Sequence, residues 1–290
     1  VPCTPGPTLT EEACARSFVE RFGRRAFRRP LGSAEIDRYV AAWAGKRARS
    51  DFAGGVRLVI AALLQSPSFL YRPEIAGGAG ATVALDGFEL ASRLSYLMWA
   101  SMPDDALLDA AAAGKLARTD GLEAEARRLL ADAKATAALA SFHGQWLEAE
   151  RVSTVDKDER LFPELTPAVR EAMRAEPGRF AAHVLREDDG RFPTLLTASY
   201  GIVDGALARL YGGRETVDGK MDLPAGQRAG VLTMLAPMTV LSLGAEPSPI
   251  HRGKWVRERF LCQSIPDPPP DVMATPPLVD PAVPTRERFR

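Results

Sequence analysis

The chain has 290 residues, 46% hydrophobic and 26% charged, and its 37 Lys+Arg are balanced by 37 Asp+Glu. That is globular composition, with material for one large domain or two smaller ones. Zero formal net charge argues against a nucleic-acid binder, which needs a basic excess for phosphate contacts, and no apolar run reaches the roughly 18 residues of a membrane-spanning helix.

In chain order, Cys3 and Cys14 flank the Pro/Gly-rich stretch TPGPTLT. They stand either as a disulfide, which would imply an oxidising compartment, or as two separate thiols. The chain starts at Val1, so a processed or trimmed form is expected. In TEEACARSFVERFGRRAFRR, Phe18, Val19, Phe22 and Ala26 fall on one helical arc and Arg21, Arg24, Arg25 and Arg28 on another, with Pro30 as the stop. The arginines read as the outer face of an amphipathic helix, with Arg24 and Arg28 exposed or paired with acids. Ser33 reads as the N-cap of a second helix. DFAGGVRLVIAALLQS is apolar nearly all round and reads as central. A Gly/Ala-rich break, IAGGAGATVALDG, spans 75–87.

Beyond it, GFELASRLSYLMWAS is helical in register, and PDDALLDAAAAGKL starts a helix at Pro103 with two aspartates. Two more helices follow on either side of Asp132. TPAVREAMRAEPGRFAAHVLRED opens with Thr166 as cap and Pro167 in first position, and Pro177 is expected to kink or divide it. Asp204 and Ser248 cap two further helices. Strand signals are confined to ATVAL near 83 and VLTMLAPMTVLSL near 235, the second interrupted by Pro237. The proline-dense stretch 266–284 reads as a linker or a surface strap, and TRERFR as the start of another helix. The fold class is all-α: a multi-helix orthogonal bundle with a small N-terminal three-helix unit (1–74), a central helical domain (85–212) and a C-terminal segment with the strap (226–290).

Chemistry is sparse. His143 and His183 sit on apolar helical stretches, where a hydrogen-bonded core or boundary role is the plain reading. His251 lies in the first turn of a predicted helix with Arg252 and Lys254, where free N–H groups and cations suit an anion. Asp104 and Asp105 are first-turn helix residues. Nucleophile, zinc-protease, dinucleotide and EF-hand patterns are absent, and no CxxC pair or Cys–His cluster suggests a metal.

Three phrases carry a resemblance: FVERFGRRAFRRPLGSAEIDRY, LDGFELASRLSYLMWASMPDDALLDAAAAGKL, and RAGVLTMLAPMTVLSL with SPIHRGKWVRERFLCQSIPDPPPDV. In this order they resemble a family of exported bacterial proteins built from domains of unknown function fifteen-ninety-five, fifteen-ninety-two and fifteen-eighty-eight, over residues 12 to 290. The resemblance implies an extracytoplasmic protein: periplasmic, surface-held or secreted, with a lipid anchor as one form. It favours the Cys3–Cys14 disulfide. It also implies haem c on a CxxCH motif shortly beyond the segment matching TRERFR, so that no cofactor is expected within these residues.

On this footing His251, Arg252, Lys254 and Trp255 form the expected contact surface for that haem-bearing segment or for an anion. The expected function is the helical scaffold of an electron-transfer protein with an exported redox partner. The alternative is a binding module for a surface polymer or protein, with Phe142, Trp146, Tyr211 and Trp255 as groove candidates. A dispersed enzyme site using His143, His251, Asp104 and Asp105 comes last.

Overall fold

Caps written into the sequence decide most element boundaries in the computed structural model, which describes residues 3–74, 84–213, 219–224, 226–266, 280 and 282–288. The chain divides into two compact units, Val1–Ala135 and Thr136–Arg290. Their boundary falls inside the stretch 85–212, so the structural units and the three sequence divisions partition the chain differently.

In the first unit, α1 (Glu11–Phe27) starts where the Thr10 side chain accepts the Ala13 N–H at 3.2 Å. It ends at Arg28, which turns into the left-handed region at φ 58°. Then α2 (Ser33–Arg47) is capped by Gly32 rather than Ser33, and the Glu35 carboxylate accepts the Gly32 N–H at 2.9 Å. Next come α3 (Phe52–Leu64), capped by Asp51, and the single turn α4 (Pro67–Leu70), capped by Ser66. Phe18, Val19, Phe27, Trp43, Val59 and Leu63 form the core of this group. Gly55 allows α3 to lie against α2, because a Cβ there would sit 2.4 Å from Trp43 Cδ1.

The rest of the unit comprises α5 (Gly87–Trp99), α6 (Asp105–Ala112), α7 (Thr119–Ala131) and the start of α8 (Ala133–Trp146). Asp86 and Asp104 cap α5 and α6. Leu94, Trp99, Leu107, Leu116 and Leu129 are the core here, and Trp99 Nε1 donates to the Leu129 carbonyl at 2.8 Å.

The arginine-rich face of α1 divides in two. Arg16, Arg24 and Arg25 pair with Asp37, Asp109 and Asp105. Arg28 corrects the outer-face reading, being 4% exposed with no acidic partner among the described residues. Its guanidinium donates to the carbonyls of Ala26, Ser68, Phe69 and Tyr71 at 3.2, 2.7, 3.3 and 2.7 Å. The helix stops one residue before Arg28, so the side chain leaves the polar arc and meets the orphan carbonyls that end α4.

Cys3 and Cys14 form a disulfide that ties the N-terminal segment to α1. The bridge spans 11 positions, a short loop. Replacing both cysteines with serine is expected to lower stability by about 2 kcal/mol, through the entropy returned to the unfolded chain. Urea titration of the double variant checks this. A midpoint equal to that of the oxidised wild type would contradict it.

The second unit takes in the rest of α8, then α9 (Pro167–Arg186), α10 (Phe192–Thr197), β1 (Tyr200–Ile202), α11 (Gly205–Leu210), β2 (Lys220–Asp222), α12 (Leu235–Val240), α13 (Pro249–Arg259) and α14 (Thr285–Arg288). Helix α9 is its axis. Val169, Ala172 and Met173 enter one core cluster with Leu207, Tyr211 and Val240, whereas Phe180, Ala181 and Val184 enter a second with Leu147, Val231 and Trp255. The helix continues through Pro177 as one element, so the proline does not divide it. A Cβ on Gly178 would fall 2.6 Å from Ala140 Cβ, so glycine permits the close crossing of α8 and α9.

The strand signal near 235 is also corrected: residues 231–233 form a 3₁₀ turn and 235–240 form α12. Pro237 is the third residue of α12, where no intrahelical N–H bond is required. The strands that do occur, β1 and β2, pair antiparallel with Gly201 opposite Met221. ATVAL reaches into 81–83, and most of the proline strap is 267–279; both lie outside the described residues. The fold is all-α, built from many helices with one two-stranded ribbon among the described residues.

Candidate functional site

Helix α13 holds the four residues singled out for contact with an anion or haem segment, and it points them in different directions. Ser248 caps the helix by accepting the His251 N–H at 3.2 Å, which leaves the imidazole exposed. Lys254 is exposed and faces Glu258 at 3.7 Å. Trp255 is buried in the second core cluster, at 5.1 Å from the Phe260 ring. Arg252 alone faces a cavity, with Nη1 3.6 Å from the Met238 sulfur.

That cavity belongs to an adjoining pair of about 240 and 220 Å³, which share Phe162, Met238 and Ser242 in their walls. The larger is lined by Leu165, Met173, Leu210 and Leu235, with Lys157 and Thr239 as polar members. The smaller is closed by Leu243, Glu246, Pro247 and Arg252. Lys157 is buried, and its ammonium donates to the Ser242 carbonyl, the Ser242 hydroxyl and the Leu243 carbonyl at 2.9, 2.7 and 2.6 Å. Three acceptors use its three protons. Burial pushes its pKa below the ordinary lysine value, the nearby Arg170 charge pushes the same way, and Asp156 opposes both. The loop carrying Lys157 is thereby fixed to residues 242–244, together with the Asp158 N–H on the Gly244 carbonyl at 3.1 Å.

Behind this wall lies a buried acid. Glu176 on α9 is 1% exposed, and one carboxyl oxygen accepts the Tyr211 hydroxyl at 2.5 Å. Tyr211 in turn accepts the Leu235 N–H at 3.0 Å, satisfying the first donor of α12. The second carboxyl oxygen, Oε2, has no hydrogen-bond partner among the described residues. Burial pushes the Glu176 pKa up to about 7, against the opposing effects of the Tyr211 hydrogen bond and the Arg179 and Arg228 charges. Arg228 lies over the Tyr211 ring at 4.8 Å, and Arg179 faces Asp204 at 3.5 Å.

The other candidates are accounted for locally. His143 is buried, with Nδ1 2.8 Å from the Leu139 carbonyl, and burial lowers its pKa. His183 Nδ1 lies 3.2 Å from Glu187, one helical turn along. Asp104 caps α6 and receives both arms of Arg128 at 2.8 and 3.0 Å. Asp105 is in the first turn of α6. Tyr211 and Trp255 are core, whereas Phe142 is 61% exposed and joins Trp146, Phe192 and Phe260 in a chain of neighbouring rings. Among the described residues no group of three His, Cys, Asp or Glu side chains could hold a metal ion, and no helix is long and apolar enough to cross a membrane.

Three family models match the chain in order. Residues 14–74 match PSD5, described as protein of unknown function (DUF1595); 85–212 match PSD4, protein of unknown function (DUF1592); 228–290 match PSCyt3, protein of unknown function (DUF1588). The chain belongs to this three-part family. No curated protein and no solved structure matches it. Within the DUF1595–DUF1592–DUF1588 chain, the paired cavities form where the last two parts meet. The DUF1592 part brings Lys157, Phe162, Met173 and Leu210; the DUF1588 part brings Leu235, Met238, Ser242 and Arg252. The Glu176–Tyr211–Leu235 chain of hydrogen bonds crosses the same junction.

Of these residues the sequence singles out Arg252 and, as a groove candidate, Tyr211. The others had no motif to mark them. The one usable signal was Glu176 itself, an acid flanked by Ala172, Met173, Phe180 and Ala181 on the buried arc of α9.

Proposed function

We propose that this chain is the helical scaffold of an exported redox protein whose haem c is carried on a continuation of the chain. The supporting observation is the anchoring of α14. The Arg288 side chain, 7% exposed, pairs with Glu246 on the body of the second unit. A haem-attachment segment following α14 would start from this fixed point. The Cys3–Cys14 disulfide supports export, since such bonds persist in oxidising compartments.

The cavities of about 240 and 220 Å³ that offer methionine sulfur are lined by no histidine among the described residues. One of about 470 Å³ in the first unit is lined by Arg28, Arg29, Arg72 and Arg93 and has neither histidine nor methionine. On this reading the haem is held by its own attachment segment and flanked by the scaffold. Haem supplies one-electron transfer, and the protein around it sets burial and charge.

The test is the visible spectrum of the full-length protein, exported from a host able to attach c-type haem, before and after dithionite. Reduced α and β bands that survive acid–organic extraction are expected. Their absence, from a host shown to mature a control cytochrome, would remove the redox reading. The exposed rings of Phe142 and Phe192, beside the half-buried Trp146 and Phe260, favour the second reading, a binding module for a surface polymer or protein.

A further inference from the structure

The paired cavities between α12, α13 and the loop before α9 carry an imbalance of charge. Their walls are mostly apolar, through Phe162, Leu165, Met173, Leu210, Leu235 and Met238. Two cations flank them. Lys157 is buried against carbonyl and hydroxyl oxygens, with no carboxylate in ion-pair contact. Arg252 is half-buried at the other end and touches the Met238 sulfur; it too forms no ion pair among the described residues. Two carboxylates also line the walls. Glu246 is neutralised by Arg288, and Glu164 is exposed at the rim.

The Lys157 protons are all engaged, so this residue contributes positive potential rather than a free donor. The Arg252 fork has donors to spare. A pocket with an apolar body, a few polar groups and an uncompensated guanidinium selects for sign as well as for shape. Methionine side chains in the wall adapt to flexible apolar chains.

We propose that this pair of cavities binds an amphipathic monocarboxylate of the fatty-acid class, with the alkyl chain against Met173, Met238 and Phe162 and the carboxylate on Arg252. The site is independent of any haem, since it is built wholly from described residues of the second unit.

The probe is dodecanoate below its micellar concentration, titrated calorimetrically into the whole chain. Dodecanol and dodecyltrimethylammonium serve as the neutral and cationic controls. Saturable binding of dodecanoate, about tenfold tighter than of either control, is the expected result; tenfold corresponds to about 1.4 kcal/mol. Arg252→Gln should weaken dodecanoate about tenfold and leave dodecanol within about twofold. Met238→Trp should weaken both by filling the cavity.

A second readout needs no variant. In wild-type protein labelled on methionine methyls, dodecanoate should shift the Met173 and Met238 resonances and leave Met98 and Met102 in place. No saturable binding would overturn the proposal. So would controls that bind as tightly as dodecanoate, or shifts that spare both cavity methionines.

Discussion

Arg28→Ala is expected to cost the first unit about 4 kcal/mol, the largest effect of any single change considered. The side chain is buried and donates to four backbone carbonyls, two of them at 2.7 Å. Ser68, Phe69 and Tyr71 are at or just beyond the end of α4, a helix of four residues that cannot satisfy its own last carbonyls. Truncation leaves those acceptors facing a void that the arginine stem had filled, so desolvation and packing losses add. Arg28→Lys tests the geometry separately. A lysine keeps the charge but has three donors on a point-like head, against the five of a planar fork. It should recover less than half of the loss. Urea unfolding followed through Trp43 and Trp99, both in the first unit, measures both variants. A loss under 1 kcal/mol for the alanine variant would mean that water replaces the guanidinium at little cost.

Arg28 also marks where sequence reading stops. Helix starts were legible where a cap and its donor lie within three residues: Thr166, Asp204 and Ser248 act as read, whereas Ser33 yields the cap of α2 to Gly32 and Asp104 caps α6 instead of lying in its first turn. The fate of an arginine at a helix end depends on carbonyls some 40 positions away, and periodicity carries no such information. The same holds for Lys157, whose acceptors at Ser242 and Leu243 are about 85 positions away. Both cations cap backbone carbonyls in place of meeting carboxylates. These two cations therefore read as surface by pattern and prove to be structural by context.

The missed elements have comparable causes. β1 is the triplet Tyr200, Gly201, Ile202, too short to show a period of two, and its partner is about 20 residues on. α12 is six residues inside an apolar run, where strand and buried helix look alike; Pro237 excluded the strand without announcing the helix. On α13, the family phrase placed Trp255 among site candidates, yet its register turns it into the core and turns Arg252 towards Met238. The all-α class and the order of the three family phrases were the global features that sequence alone supplied.

The second large effect concerns pH. Glu176 has its pKa raised from an ordinary 4.5 to about 7 by burial. A carboxyl whose folded pKa is raised stabilises the fold fully below its unfolded value, and that contribution is lost as pH rises through the folded value. The window is therefore pH 4.5 to 7, and a shift of this size corresponds to about 3 kcal/mol. The groups that face Glu176 are Tyr211 from the end of α11, Arg228 from the segment before α12, and Arg179 on α9 with its own partner Asp204. Other carboxylates work in the opposite sense: Glu35, held down first by Arg29, gains stability as pH rises. The difference between wild type and Glu176→Gln therefore isolates the buried acid. The glutamine keeps the acceptor for Tyr211 and cannot ionise, so the two proteins should match near pH 4.5. By pH 8 the variant should be the more stable by up to about 3 kcal/mol. Parallel stability curves from pH 4.5 to 8 would show that Glu176 keeps an ordinary pKa through solvent reaching Oε2. Tyr211→Phe should destabilise at both ends of the range by at least about 2 kcal/mol, because the Leu235 N–H and the carboxyl oxygen lose the same partner at once. That contrast, one variant gaining on wild type as pH rises and the other losing throughout and most above pH 7, where the carboxylate lacks its hydroxyl donor, separates the proton from the hydrogen bonds that hold α9, α11 and α12 together behind the cavity wall.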